Sequence, residues 1–271
     1  MVLLKNIFDK HIFALYALIV SLLAGCNPST APDESEDEDT EAKQTLQGTW
    51  QTELEGDIVF TIKGDTLYYS DSLSAPAAFC VRHDSLVIRN HKEVAYAIKR
   101  LNSTQFHFVN ADGDIVELVK ASADVAPLSK GEYKGAISLN QHQKIKRDTI
   151  VYCKDKRLHA YTQVNPTTYK VYRQHTNDDG LTVESVYYDN LVYIALYDGQ
   201  HKVFGQNVMK KEFAGIVPAA YLEQAILSDI FVQGEVAGSV RFVAVLSIPD
   251  SYTNYRVNID VTSDGRKKLS V

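Results

Sequence analysis

Gln105-Phe106-His107-Phe108-Val109 and Ile115-Val116-Glu117-Leu118-Val119, separated by Asn110-Ala111-Asp112-Gly113-Asp114, decide the fold. Two short runs rich in β-branched and aromatic residues around an Asn/Asp/Gly turn predict a β-hairpin. The same pattern extends outward. Asp57 to Ile62, Thr66 to Tyr69, Ala77 to Val81, Ser85 to Ile88 and Val94 to Arg100 read as strands, with turns at Lys63-Gly64-Asp65, Arg82-His83-Asp84 and Asn102-Ser103. Connections this short force each strand to pair antiparallel with its neighbour, because parallel pairing needs a long crossover. The expected product is a meander, either curled or closed.

Upstream of these strands stands Leu46-Gln47-Gly48-Thr49-Trp50. This resembles the Leu-x-Gly-x-Trp opening of small lipocalin-like lipoprotein domains, over residues 46–121. The resemblance implies a glycine that lets the chain pass close to the sheet and a tryptophan that plugs one end of the barrel. Read from the residues alone, Trp50 is a core anchor, and about 76 residues make a barrel too small for a roomy ligand cavity.

A softer stretch, Ala121 to Lys130, separates this region from a second one over residues 130–271. Strands are expected at Glu132 to Leu139, Asp148 to Cys153, Leu158 to Val164, Tyr169 to Gln174, Thr182 to Tyr188, Val192 to Tyr197 and Lys202 to Gln206. Between Pro218 and Ile230 the period changes. Tyr221, Leu222, Ala225, Ile226 and Ile230 recur at spacings of three and four after a proline, which predicts an amphipathic helix over 218–230. Val240 to Ile248 and Tyr255 to Val261 follow as strands. The fold class is therefore mainly β, a small antiparallel meander or barrel followed by a second antiparallel lobe with one helix. Arg147-Asp148-Thr149-Ile150, His159-Ala160-Tyr161, Asn165-Pro166 and the Tyr221 to Ile230 stretch together resemble a family of uncharacterised Bacteroidota-type lipoproteins. That resemblance implies location and architecture and carries over no catalytic residue.

The N-terminus sets the expected address. Lys5 and Lys10 precede an apolar run from Ile12 to Leu23 that closes on Leu23-Ala24-Gly25-Cys26. The run is too short to span ~30 Å of hydrocarbon, so residues 1–25 read as a signal peptide. The ending resembles the lipobox of bacterial lipoproteins, which implies cleavage before Cys26 and acylation of its thiol. The membrane is then a partner through Cys26. Residues 26–45 carry seven acids against Lys43 and read as an acidic disordered tether. Acids in this place resemble the export signal of Bacteroidota-type surface lipoproteins; a solubilising spacer is the alternative. The expected localisation is lipid-anchored at the outer membrane, with exposure at the cell surface.

Charge narrows the partners further. The tether accounts for −6 and the signal for +1 of a total of −6, so residues 44–271 sum to −1. Nucleic acid needs a concentrated basic surface and is not an expected partner. Lys144, Lys146, Arg147, Lys154, Lys156 and Arg157 cluster across one hairpin, either as a patch for anionic lipid or glycan or as solvated turns.

Catalytic chemistry is not legible. No Gly-x-Ser-x-Gly, Cys-x-x-Cys or helical His pair beside a glutamate is present, so catalytic residues stay unassigned and no metal or cofactor is expected. Asn110 to Asp114 faintly resembles a calcium loop but lacks its glycine and distal glutamate, and reads as a turn. Cys80 and Cys153 read as free buried thiols, with a disulfide as the alternative. Twelve of the sixteen tyrosines fall in the second lobe, suited either to packing half-buried sheet faces or to meeting protein or sugar. Thr66, Ser72, Ser85 and Thr149 follow Asp and precede an aliphatic residue, which resembles the acceptor of Bacteroidota-type O-glycosylation. The expected function is a non-enzymatic binding or accessory module for a glycan or protein ligand. The alternatives are an envelope hydrolase whose carboxylates converge only in the fold, or a structural envelope component.

Overall fold

A computed structural model describes residues 38–128 and 133–271. Residues 39–271 form one compact unit. The chain enters it through helix α1 (Thr40–Thr45), where the side chain of Asp39 caps the N-terminus by accepting the Ala42 N–H at 2.9 Å. This corrects the expectation of disorder through residue 45. Asp39 and Glu41, counted as tether acids, lie at the cap and first turn of α1, where an acidic side chain is favourable. Ala42 and Leu46 anchor the turn on the barrel core below it.

Eight antiparallel strands then close a barrel: β1 (Gly48–Thr52), β2 (Ile58–Lys63), β3 (Thr66–Tyr69), β4 (Ala77–Arg82), β5 (Ser85–Arg89), β6 (Glu93–Leu101), β7 (Gln105–Val109) and β8 (Ile115–Lys120). The eighth strand missing from the sequence reading is β1. Its residues look like an opening motif, yet they pair with β2 on one side and close the barrel on β8 through Trp50↔Lys120 and Thr52↔Leu118. An eight-stranded barrel is just wide enough for side chains to fill. Here Trp50, Phe60, Leu86, Tyr96, Phe106 and Phe108 fill it, all essentially without exposure. Trp50 donates its indole N–H to the Leu46 carbonyl at 2.8 Å and packs edge-on against Phe106, with ring centroids 5.7 Å apart.

Two four-stranded antiparallel sheets follow. One has the order β12-β11-β10-β9, from β9 (Ile145–Cys153), β10 (Lys156–Thr176), β11 (Thr182–Asp198) and β12 (His201–Val208). The other has the order β13-β14-β15-β16, from β13 (Ile226–Val236), β14 (Ser239–Ser247), β15 (Asn254–Thr262) and β16 (Lys267–Ser270). Val151, Leu158, Ile194 and Leu196 of the first sheet share one core with Ile230, Phe242, Leu246 and Ile259 of the second. The sheets therefore face each other as a sandwich.

The helix expected over 218–230 is corrected. Helix α2 covers only Ala219–Gln224, and from Ile226 onward the chain is strand β13. Ile226 and Leu227 are both fully buried, Leu227 in the sandwich core and Ile226 in a small cluster with Val171 and Tyr187. A strand sends successive side chains to opposite faces and can bury both. The backbone is held in that form by Asp189, whose carboxylate accepts the Leu227 N–H at 2.8 Å, and by the Asn190 amide, which donates to the Leu227 carbonyl at 3.0 Å. The expected strand over Glu132 to Leu139 is also absent from its described part, where Ile137 makes a single bridge to Tyr187.

Four expected strands merge into two. β10 runs through Pro166, where the register shifts before resuming at Lys170. A proline is tolerated within a strand at such an irregularity because no ladder N–H is needed there. The resulting β10–β11 hairpin is long enough to leave the sandwich and reach the barrel. At its tip, Leu181 and Val183 enter the barrel core, and Ala75 donates its N–H to the Glu184 carbonyl at 2.7 Å. Gly180 has φ +74° and would place a Cβ within 2.8 Å of Asn110, so the approach of hairpin to barrel requires glycine on two counts.

Candidate functional site

The hairpin that joins barrel to sandwich also builds a pocket beside the join. Three elements line it: His91 and Lys92 from the turn between β5 and β6, Tyr172, Gln174 and Glu184 from β10 and β11, and Glu223 and Gln224 from the end of α2. Its volume is about 160 Å³. Gln174 and Glu184 are directly opposed across the hairpin and form the floor. His91, Lys92 and Glu223 are about half exposed and form the mouth. The His91 ring stacks on Tyr172, with centroids 4.9 Å apart and planes within 8°.

The floor holds polar atoms without protein partners. Glu184 is 4% exposed. Its Oε2 accepts only a long bond, 3.4 Å, from the His91 backbone N–H, and its Oε1 is buried without a partner. Beside it Gln174 Nε2 is likewise buried and unpaired. Buried polar groups in folded proteins nearly always find a partner, so this acceptor and donor, opposed across the hairpin, are the floor's free hydrogen-bonding groups. Burial pushes the Glu184 carboxyl above its ordinary range, against the opposing pull of the His91 N–H and of the His91 and Lys92 charges. At the mouth Glu223 pairs with Lys92 at 3.3 Å, so that ion pair is internally compensated.

A larger groove of about 660 Å³ also borders α2, lined by Ala214, Ile216, Val217, Pro218 and Leu222. Lys210 sits at its edge with its ammonium donating to the Ala225 carbonyl at 2.8 Å, and burial lowers that lysine's pKa. The groove is largely apolar, with Lys210 and Glu223 at its edge already engaged in the local structure, whereas the smaller pocket has buried groups left unpaired.

The sequence-predicted residues fall elsewhere. Cys26 lies outside the described residues. Thr66 and Ser85 open β3 and β5, Ser72 lies in the loop after β3, and Thr149 is exposed in the middle of β9. The four are not brought together. Cys80 and Cys153 are free, buried thiols, one in the barrel wall and one in the sandwich. In the turn Asn110 to Asp114, the Asn110 side chain already accepts the N–H groups of Asp112 and Asp114. Among the described residues no three His, Cys, Asp or Glu side chains are grouped to hold a metal ion. Glu184 escaped the sequence reading, although one signal was present. The pair Glu184-Ser185 breaks the apolar–polar alternation of Leu181-Thr182-Val183, which sets two polar side chains side by side on opposite faces of a strand before Val186.

The family described as "Domain of unknown function (DUF4738)" matches residues 128–270, just over half of the chain. That span takes in the sandwich, the joining hairpin and α2, but not the barrel. No curated protein matches the chain at a significant level.

Proposed function

We propose that this chain, which belongs to the DUF4738 family, is a lipid-tethered, non-enzymatic binding module of the outer envelope whose junction pocket receives one hydroxyl-bearing ring at the end of a glycan. The observation that carries the reading is the pair of orphan groups on the pocket floor, Glu184 Oε1 and Gln174 Nε2. A hydroxyl both donates and accepts, so one sugar hydroxyl satisfies the two at once. Size agrees, since a cavity of roughly 150 Å³ takes one six-membered ring. The Tyr172 and His91 rings supply a wall for the apolar edge of such a ring.

The address rests on sequence. Leu23-Ala24-Gly25-Cys26 supports cleavage and acylation at Cys26, and the acids from Asp33 to Glu41 support display at the surface in the manner of a Bacteroidota-type lipoprotein. The Leu46 to Trp50 opening supports a lipocalin-like ancestry for a barrel that has become a filled support. The pocket it supports lies outside it.

A hydrolase is the second reading, favoured by one observation: Glu184 and Glu223 line the same pocket, and burial draws Glu184 toward its protonated form. Glycan-array binding by the full chain, repeated with Glu184→Gln and joined to a reducing-end assay, separates the two. The binding module predicts retained capture by Glu184→Gln, whose amide keeps a donor and an acceptor, with no new reducing ends from either protein. Turnover by the wild type that Glu184→Gln abolishes establishes the hydrolase instead.

A further inference from the structure

The outer face of the sheet β12-β11-β10-β9 points away from the sandwich core and carries, besides the exposed Tyr152 on β9, a cluster of three tyrosines. Tyr193 and Tyr197 flank Ala195 on β11, and Tyr161 stands opposite Ala195 on β10. On the other side of Ala195 stands Gly205. A Cβ at Gly205 would fall 2.8 Å from the Tyr193 hydroxyl. The Tyr193 ring therefore lies down across β12, which only a glycine beneath it allows. Tyr161 lies 6.2 Å from it, centroid to centroid, at a tilt of 59°. Between them the rings roof over Ala195, which is 0% exposed although it belongs to the outer face.

Polar groups are set around the rings. The Tyr161 hydroxyl donates to Gln163 Oε1 at 2.7 Å, and Gln163 in turn donates to Asn165 at 2.6 Å. Lys146 faces out on β9, Arg157 on β10 and Lys202 on β12, all exposed. One acid shares the face: Asp148, opposite Tyr161, meets His159 at 3.3 Å, and His159 in turn lies 3.3 Å from Arg157, while Asp198 pairs with Lys156 at 2.7 Å. A basic face thus stands on a body that is nearly neutral beyond its acidic leader.

We propose that this face docks an acidic polysaccharide, a chain of uronic-acid sugars. Pyranose faces stack on Tyr161, Tyr193 and Tyr197, hydroxyls meet the amide of Gln163, and the carboxylates meet Lys146, Arg157 and Lys202. Ring faces lying along a sheet offer flat contact to sugar C–H groups, and three exposed cations, none in an ion pair with a carboxylate among the described residues, supply the charge complementarity that a neutral glycan would leave unused. The site shares no residue with the junction pocket, so it stands or falls independently of that reading.

The test is titration of the full chain in neutral detergent with a polygalacturonate oligomer, alongside a neutral maltohexaose and anionic phospholipid vesicles. The proposal expects binding of the acidic oligomer that weakens as salt is raised. Tyr193→Ala should bind about tenfold more weakly, Tyr193→Phe like the wild type, and Lys146→Ala with Lys202→Ala more weakly with a shallower salt dependence. Gly205→Ala, which displaces the Tyr193 ring without a backbone cost, should also weaken binding. Equal affinity for the neutral oligomer overturns the proposal, as does unchanged binding by Tyr193→Ala or capture of vesicles without capture of the oligomer.

Discussion

The phenol of Tyr96, in the barrel wall, accepts the backbone N–H of Thr182 at 2.6 Å from the tip of the β10–β11 hairpin. Leu181 and Val183, on either side of Thr182, are 0% exposed inside the barrel core. The barrel is thus sealed by a segment belonging to the sandwich and does not complete its core without it. Leu181→Ala should cost about 2–5 kcal/mol, as for other buried leucines. The only tryptophan, Trp50, reports the barrel by fluorescence, and Tyr193 and its neighbours report the sandwich by near-ultraviolet circular dichroism. The two signals should move together in one shifted thermal transition.

Gly180 is the hinge of that contact. Its positive φ and the closeness of Asn110 make Gly180→Ala strained twice over. The variant should lose about 1–3 kcal/mol, measured by urea unfolding. Replacing Asn110 by alanine as well should recover only part of the loss, because it relieves the clash with the amide and leaves both the Asn110 Cβ 2.8 Å away and the backbone strain.

Burial raises the Glu184 pKa, which fixes the sign of its pH effect. A carboxyl whose folded pKa exceeds the unfolded one contributes stability below the unfolded value and loses it as pH rises through the folded value. Stability of the wild type should therefore fall over the window that begins above the model-compound value of 4.5. Glu184→Gln cannot ionise, so its melting temperature relative to the wild type should be higher at pH 8 than at pH 5. A difference that does not change with pH would remove the buried carboxylate as the cause.

Cys26→Ala tests the address. The variant should accumulate as the unprocessed precursor and leave the membrane fraction, since acylation and anchoring use the same thiol. Membrane retention equal to that of the wild type would contradict lipidation.

Where local sequence and tertiary structure agree, the fold was legible. Gly64-Asp65 and Ala111 to Gly113 turn the chain where the sequence expects turns, and strands such as β3 and β7 begin and end where their side-chain types predict. The failures have one cause, which is that long-range contacts chose between local alternatives. Ile226 and Ile230 fit a helical spacing and a strand alternation equally, and Asp189, far away in the chain, decides by binding the Leu227 N–H. Gly48 to Thr52 becomes a strand because β8 returns to close the barrel on it. The pocket was illegible for the same reason. His91, Gln174, Glu184 and Glu223 are brought together by the hairpin's reach, and no spacing in the sequence encodes that reach.

The central claim is that the junction pocket binds a sugar hydroxyl through Gln174 and Glu184. It is tested most directly by isothermal titration of the wild type and of Gln174→Leu with the terminal monosaccharide of the best glycan from the array. Leucine keeps most of the volume and removes the donor. The account predicts affinity for Gln174→Leu weaker by about tenfold, the worth of one buried hydrogen bond left unmade, with the melting temperature of the free protein unchanged or raised. Equal affinity in the two proteins would contradict it.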